Sequence, residues 1–319
     1  MAEKSSKKPR KSLKRRRGNA SSKMLIDFQI VLPYPYVMSK LKMWKNGSSW
    51  QEAESSWDQR ASNAAKEHPI KKLSQLPDMP GITHETAKNL KWKSLKWMLL
   101  KDKGAVVLKK LLKHPLKYTW KLALSMAKKK SFKRNGDFFL YGVKTVEEFG
   151  DLLLQKNTIF VIGFSYCHKP FECPSGRFTD KCVSDLDNPV CQQCFIGKCV
   201  HALPENDALP IFIPTVHYIG SKMIDIVHAN PEKKVVFLIT ACEMTLEMFG
   251  NYGNMIGIEG VGVRLDGRIC NTMKAFELSE NGIKPGLTVV LEPTKQRILS
   301  LIRLRRESFS EGLHNDTTV

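Results

Sequence analysis

KKVVFLITACE, residues 233–243, holds two lysines, a nearly unbroken apolar run, then a cysteine and a glutamate. A short apolar run rich in β-branched residues reads as a strand buried on both faces. Such strands belong to parallel sheets covered by helices. EMTLEMFGNY follows at once with helical spacing. Working outward, the same alternation recurs. TIFVIGFSYC (158–167) and PIFIPTV (210–216) read as strands, with a helix over YIGSKMIDIVHAN after the second. Beyond residue 250, MIGIEGVGVR (255–264) reads as a strand, NTMKAFELSENG (271–282) as a helix and GLTVVLEP (286–293) as a last strand. The predicted fold class is α/β: a mostly parallel sheet with helices on both faces and a cysteine-rich loop insertion. A basic, mainly helical N-terminal region precedes it.

Charge divides the chain. Residues 1–150 hold 34 of the 51 Lys/Arg but 12 of the 31 Asp/Glu. All six tryptophans, Trp44 to Trp120, lie there too, whereas all eight cysteines lie between Cys167 and Cys270. The expected organisation is a disordered basic arm over 1–23, a basic tryptophan-containing region over 24–136, a cysteine-rich α/β domain over 137–300 and a frayed tail over 301–319. No run approaches the ~20 apolar residues of a membrane-spanning helix, and no apolar stretch follows the basic start as in a secretory signal. The expectation is a cytoplasmic protein with reduced thiols, either free or peripheral at the inner face of the membrane. Residues 85–134 hold 16 Lys/Arg against two acids, with apolar residues at helical spacing. Together with 1–23 they suit an anionic membrane surface or nucleic acid, and a merely solvated basic face equally.

Six cysteines, Cys167, Cys173, Cys182, Cys191, Cys194 and Cys199, fall within 33 residues. Cys191-x2-Cys194 lets two thiolates face one metal, and Gly, Pro, Asp and Asn between the others allow loops to wrap it. A second Cys-x2-Cys pair, usual in a zinc ribbon, is missing, so the spacing leans toward an iron–sulfur cluster with zinc as the alternative. Cys167 ends one predicted strand and Cys242 another, and Cys270 precedes a helix. In an open parallel sheet the carboxyl ends of the strands share one edge, where ligands bind. Cys242 and Cys270 are therefore candidates for a second metal site or for catalysis, with Glu243 as an acid or base. Gly220, Ser221, Asn271 and Thr272, near predicted helix starts, are candidates for cofactor or anion binding through backbone amides. His168 and His201 flank the cluster as alternative ligands.

The succession Cys167, Cys173-Pro174, Cys191/Cys194/Gly197/Cys199, then Ala241-Cys242-Glu243 after a strand and Cys270-Asn271-Thr272, resembles the prokaryotic domain-of-unknown-function family 116 over residues 155–293. The resemblance implies a cysteine-rich α/β protein that binds an iron–sulfur cluster, without an assigned reaction. Here Arg268-Ile269 stand before the last cysteine where the family pattern has Gly-Pro. The functional expectation is a redox or electron-transfer role beside a protein redox partner, as an iron–sulfur oxidoreductase or an accessory to another enzyme. Cys191, Cys194 and Cys199, completed by Cys173 or Cys167, are the expected cluster ligands. Two other readings stand against it: a zinc-stabilised module whose basic half contacts nucleic acid or membrane, and a thiol-dependent transferase.

Overall fold

The structure, a computed structural model, describes Trp44 and residues 49–73, 81–127 and 131–315. The expected arm over 1–23 and the last residues of the expected tail lie outside these. In chain order the elements are α1 (Trp50–Glu67), α2 (His84–Ala87), α3 (Leu90–Leu100), α4 (Val106–Leu111), α5 (Pro115–Ala127), β1 (Lys133–Asn135), β2 (Phe138–Tyr141), α6 (Val146–Leu154) and β3 (Thr158–Ser165). There follow α7 (Pro189–Gln193), α8 (Phe195–Ala202), β4 (Ala208–Ile213), α9 (Val216–Ala229), β5 (Lys234–Ala241), α10 (Glu243–Ile256), β6 (Glu259–Arg264), β7 (Asp266–Gly267), α11 (Met273–Ser279), β8 (Thr288–Val289) and α12 (Glu292–Asn315).

Strands β1 to β6 form one sheet in the order β1-β2-β6-β5-β3-β4. β6, β5, β3 and β4 are mutually parallel; β2 and β1 add antiparallel at one side. The central strands are apolar on both faces because helices cover both. Along β3, Phe160, Ile162 and Phe164 enter one core with α6, α8 and α12, while Ile159 and Val161 enter the other with α9 and α10. β5 alternates likewise, Val236 and Leu238 against Val235, Phe237 and Ile239. Pro210 is tolerated within β4 because that strand is an edge.

The tryptophan-rich segment joins these cores. Trp44, Trp50 and Trp57 are buried with α8 and α12 in the first core, and Ser49 opens α1 with a capping box closed by Glu52. α3, α4 and α5 form a further layer outside α9 and α10. The segment after residue 300, expected to fray, is instead helical. Leu301 and Ile302 are core residues, and the fully buried Arg305 donates to the carbonyls of Leu153 (2.6 Å), Gln155 (3.0 Å) and Thr158. A guanidinium satisfies several strand-end carbonyls at once, which an aliphatic side chain cannot do. GLTVVLEP yields only the two-residue β8, paired with β7 in a separate ribbon, and the strand in MIGIEGVGVR begins at Glu259 because α10 runs on to Ile256.

Candidate functional site at the carboxyl edge of the sheet

β3 and β5 are neighbours, yet the chain leaves β3 for β4 on one side and returns to β5 on the other. That reversal is a topological switch point, where the loops at the strand carboxyl ends part and leave a crevice. Both strands end in a cysteine. Cys167 lies in the tight turn after β3, and Cys242 is the N-cap of α10 directly after β5. They line a narrow cleft with Tyr166, Thr215, Ser279 and Glu280.

Cys270 reaches this edge through the β7–β8 ribbon. Its sulfur accepts a hydrogen bond from Lys284 Nζ at 3.2 Å. The Cys242 thiol hydrogen-bonds to Cys270. Hydrogen bonding from Cys242, with Lys284 assisting, draws Cys270 below the usual thiol range, while donation to Cys270 and burial push Cys242 well above it. Burial raises Cys167. In the cleft wall, burial raises Glu280 to about 8, against the pull of a 3.0 Å hydrogen bond from Val216 N–H. The cleft therefore holds a carboxyl that burial favours in its protonated form, and the Cys270–Lys284 contact adjoins Cys242 outside the cleft lining.

The remaining cysteines occupy the crossover from β3 to β4. Cys173, Cys182, Cys191 and Cys194 line one small, nearly filled pocket. Burial raises Cys182 to about 12, Cys194 to about 11 and also Cys191. Cys199, grouped with them by spacing, instead points into the first core and is fully buried. The helical repeat explains this, since five residues separate Cys194 from Cys199 and turn the second thiol away from the first. Gly197 permits the compact turn between α7 and α8, because a Cβ there would stand 2.7 Å from the Cys191 carbonyl oxygen.

Two cations, the buried Lys169 and the half-buried Arg177, organise the loop. Lys169 Nζ donates to the carbonyls of Lys181 (2.7 Å) and Thr179 (2.9 Å), to Thr179 Oγ1 (3.0 Å) and, more weakly, to Gly176 (3.4 Å). Arg177 donates to the carbonyls of Lys169, Cys167, Lys284 and Gly286 at 2.8–3.1 Å, so it ties the loop to the strand end and to the Cys270 segment. Lys198 forms ion pairs with Glu54 (3.0 Å) and Asp58 (2.8 Å) of α1. Sequence reasoning missed all three, and Lys284 and Glu280 as well, since a lone charged residue in a loop reads as solvated. All eight cysteines are free thiols. Among the described residues, no three His, Cys, Asp or Glu side chains form a group that could hold a metal ion.

Several other expected site residues sit elsewhere. Gly220 and Ser221 lie in the second turn of α9, not at its start, because Thr215 caps that helix. Gly220 accepts at its carbonyl from Tyr252, and the Ser221 hydroxyl accepts from Lys110 at 2.5 Å. Thr272 caps α11 through Ala275 N–H, and the Asn271 carbonyl accepts from Thr83 N–H (3.1 Å). Their groups are thus spent on the fold. Glu243 faces away from the cleft, paired with Arg134 at 2.5 Å and roofed by Gly81. His168 is half-buried against Phe164 and Phe195, and desolvation with Lys295 nearby pulls it down to about 3. His201 meets the Ser184 carbonyl at 2.7 Å and the Trp57 ring. Comparison with family models, curated proteins and solved structures finds no match.

Proposed function

We propose that the chain is a cytoplasmic iron–sulfur protein with a redox or electron-transfer role, its cluster held by Cys173, Cys182, Cys191 and Cys194. The observation that carries this reading is that four thiols of one loop line a single cavity. Four cysteine thiols are a donor set used by 4Fe–4S clusters, in line with the resemblance to family 116; the same set could hold a zinc ion, which the test below distinguishes. When bound, a cluster supplies one-electron chemistry. The protein's own part is to hold the loop with Lys169 and Arg177 and to keep water from the thiols. Because burial keeps the thiols protonated, loading releases protons. The switch-point cleft, lined by Cys167, Cys242 and Glu280, is where a small redox substrate would dock, and Glu280 can give up a proton there.

The test is anaerobic purification with iron, sulfide and zinc analysis and an absorption spectrum. The expected result is brown protein with broad absorbance near ~400 nm that bleaches on reduction, retained in Cys199→Ser and lost in Cys173→Ser and Cys194→Ser. Colourless protein with stoichiometric zinc, or full colour in the latter two variants, overturns the proposal.

A further inference from the structure

The layer formed by α3, α4 and α5 carries apolar side chains on both sides: Leu90, Val107 and Tyr118 pack inward, with Met98, Leu111 and Leu122 beside them, and a second set faces outward. In α5, Leu116, Trp120 and Leu124 recur at intervals of four, so they form one stripe, and that stripe faces solvent. Leu116 is 87% and Trp120 67% exposed. The opposite face of the same helix packs Tyr118 and Leu122 against the second core and adds hydroxyl contacts, Tyr118 to His228 (2.9 Å) and Ser125 to Asn251 (2.9 Å). α3 repeats the arrangement. Ser94 is buried and donates to the Met248 carbonyl (3.2 Å), while Trp92 and Leu100 stand 65% and 70% exposed. Leu112, at the end of α4, is also exposed. A surface helix normally turns its apolar stripe to the core. A contiguous segment that adds a second apolar stripe on its solvent side marks a surface that docks on something.

Charge selects the occupant. Exposed Lys96, Lys103, Lys109, Lys113 and Lys117 lie among these apolar side chains. Residues 85–134 carry 16 basic groups against two acidic ones. A second copy of the chain would bring like charges together. A nucleic acid backbone would satisfy the lysines but give the leucines nothing to enter. An anionic bilayer satisfies both, since lysine stems reach the headgroups while leucines enter the acyl boundary and indoles rest between. No helix among the described residues is long and apolar enough to cross a membrane, so the contact is interfacial.

We propose that the outer face of α3, α4 and α5 docks the protein on an anionic lipid bilayer, with Trp92, Leu100, Leu112, Leu116 and Trp120 as the inserted side chains and the lysines between them as the headgroup contacts. The test uses the full chain with vesicles of phosphatidylcholine alone or with about 30% phosphatidylserine, in sedimentation and in tryptophan quenching by brominated acyl chains. The expected result is binding to the anionic vesicles only, with quenching that disappears in Trp92→Phe/Trp120→Phe, because Trp44, Trp50 and Trp57 are buried in the core and Trp97 packs inward against Phe276. Leu116→Glu/Trp120→Glu should lower anionic-vesicle partitioning at least tenfold, roughly the loss expected for two large apolar groups, with an unchanged melting temperature. Electrostatic attraction through residues 1–23 alone would give sedimentation without quenching. That result overturns the proposal, as would a double-Glu variant that partitions like the parent, a dimer that shields Trp120, or a single-stranded RNA that protects Trp92 and Trp120 when vesicles do not.

Discussion

Glu280→Gln isolates the electrostatics of the switch-point cleft. Glutamine is isosteric and keeps an oxygen for the Val216 N–H, so the 3.0 Å hydrogen bond survives. What disappears is the titration. In the folded chain burial raises this carboxyl from 4.5 to about 8. A raised acid contributes stability in full below its unfolded value and loses it as pH rises through the folded value. The loss therefore runs from about pH 4.5 to about pH 8 and is complete above that. At 1.36 kcal/mol per unit the full shift corresponds to about 5 kcal/mol, of which about 1 is already lost at pH 5 and about 4 more by pH 8.5. Water entering the cleft on ionisation would reduce this by up to about half, so about 2–4 kcal/mol separates the two pH values. With roughly 2 °C per kcal/mol for a chain of this size, Glu280→Gln should melt about 4–8 °C above the parent at pH 8.5 and within about 2 °C of it at pH 5. Parallel melting curves in several buffers check this. An equal difference at both ends of the range would refute the assignment of a buried neutral acid, and a parent more stable at pH 8.5 would reverse its sign.

Two further substitutions probe the frame. Gly197→Val should separate α7 from α8 because its Cβ would meet the Cys191 carbonyl; we expect a loss of about 2–4 kcal/mol in urea unfolding and a fall in metal content under anaerobic loading. Arg305→Met should cost about 3–5 kcal/mol, since the carbonyls of Leu153, Gln155 and Thr158 lose a buried donor; the same unfolding experiment measures it, and metal content per folded chain should hold.

The apolar strands were legible because burial on both faces leaves no room for polar residues. That legibility extended to Cys167 and Cys242, since a residue ending a parallel strand lies at a known edge. It stopped at Cys199, whose direction depends on helical phase within a two-turn helix. Cations tied into the fold were illegible for another reason. Lys169, Arg177 and Arg305 each satisfy carbonyls that only tertiary folding brings together, and nothing local distinguishes them from solvated residues. The meeting of Cys270 with Cys242 likewise depends on the β7–β8 ribbon, which joins segments too short to show alternation. In α5 the sequence showed amphipathicity but not which side meets the protein.

The cysteine loop is also the connection between β3 and β4. Strand β3 ends at Ser165 and β4 begins at Ala208, so the intervening chain must close before the edge strand can dock. Until then, β3 presents a long apolar border with unpaired backbone groups, the template on which chains associate. Parallel pairing over such a distance is slow, and Lys169 and Arg177 shorten the path by folding the loop upon itself. Newly made chains are thus most vulnerable to self-association before β4 is in place, and any ligand that closes the loop also acts as a guard on assembly.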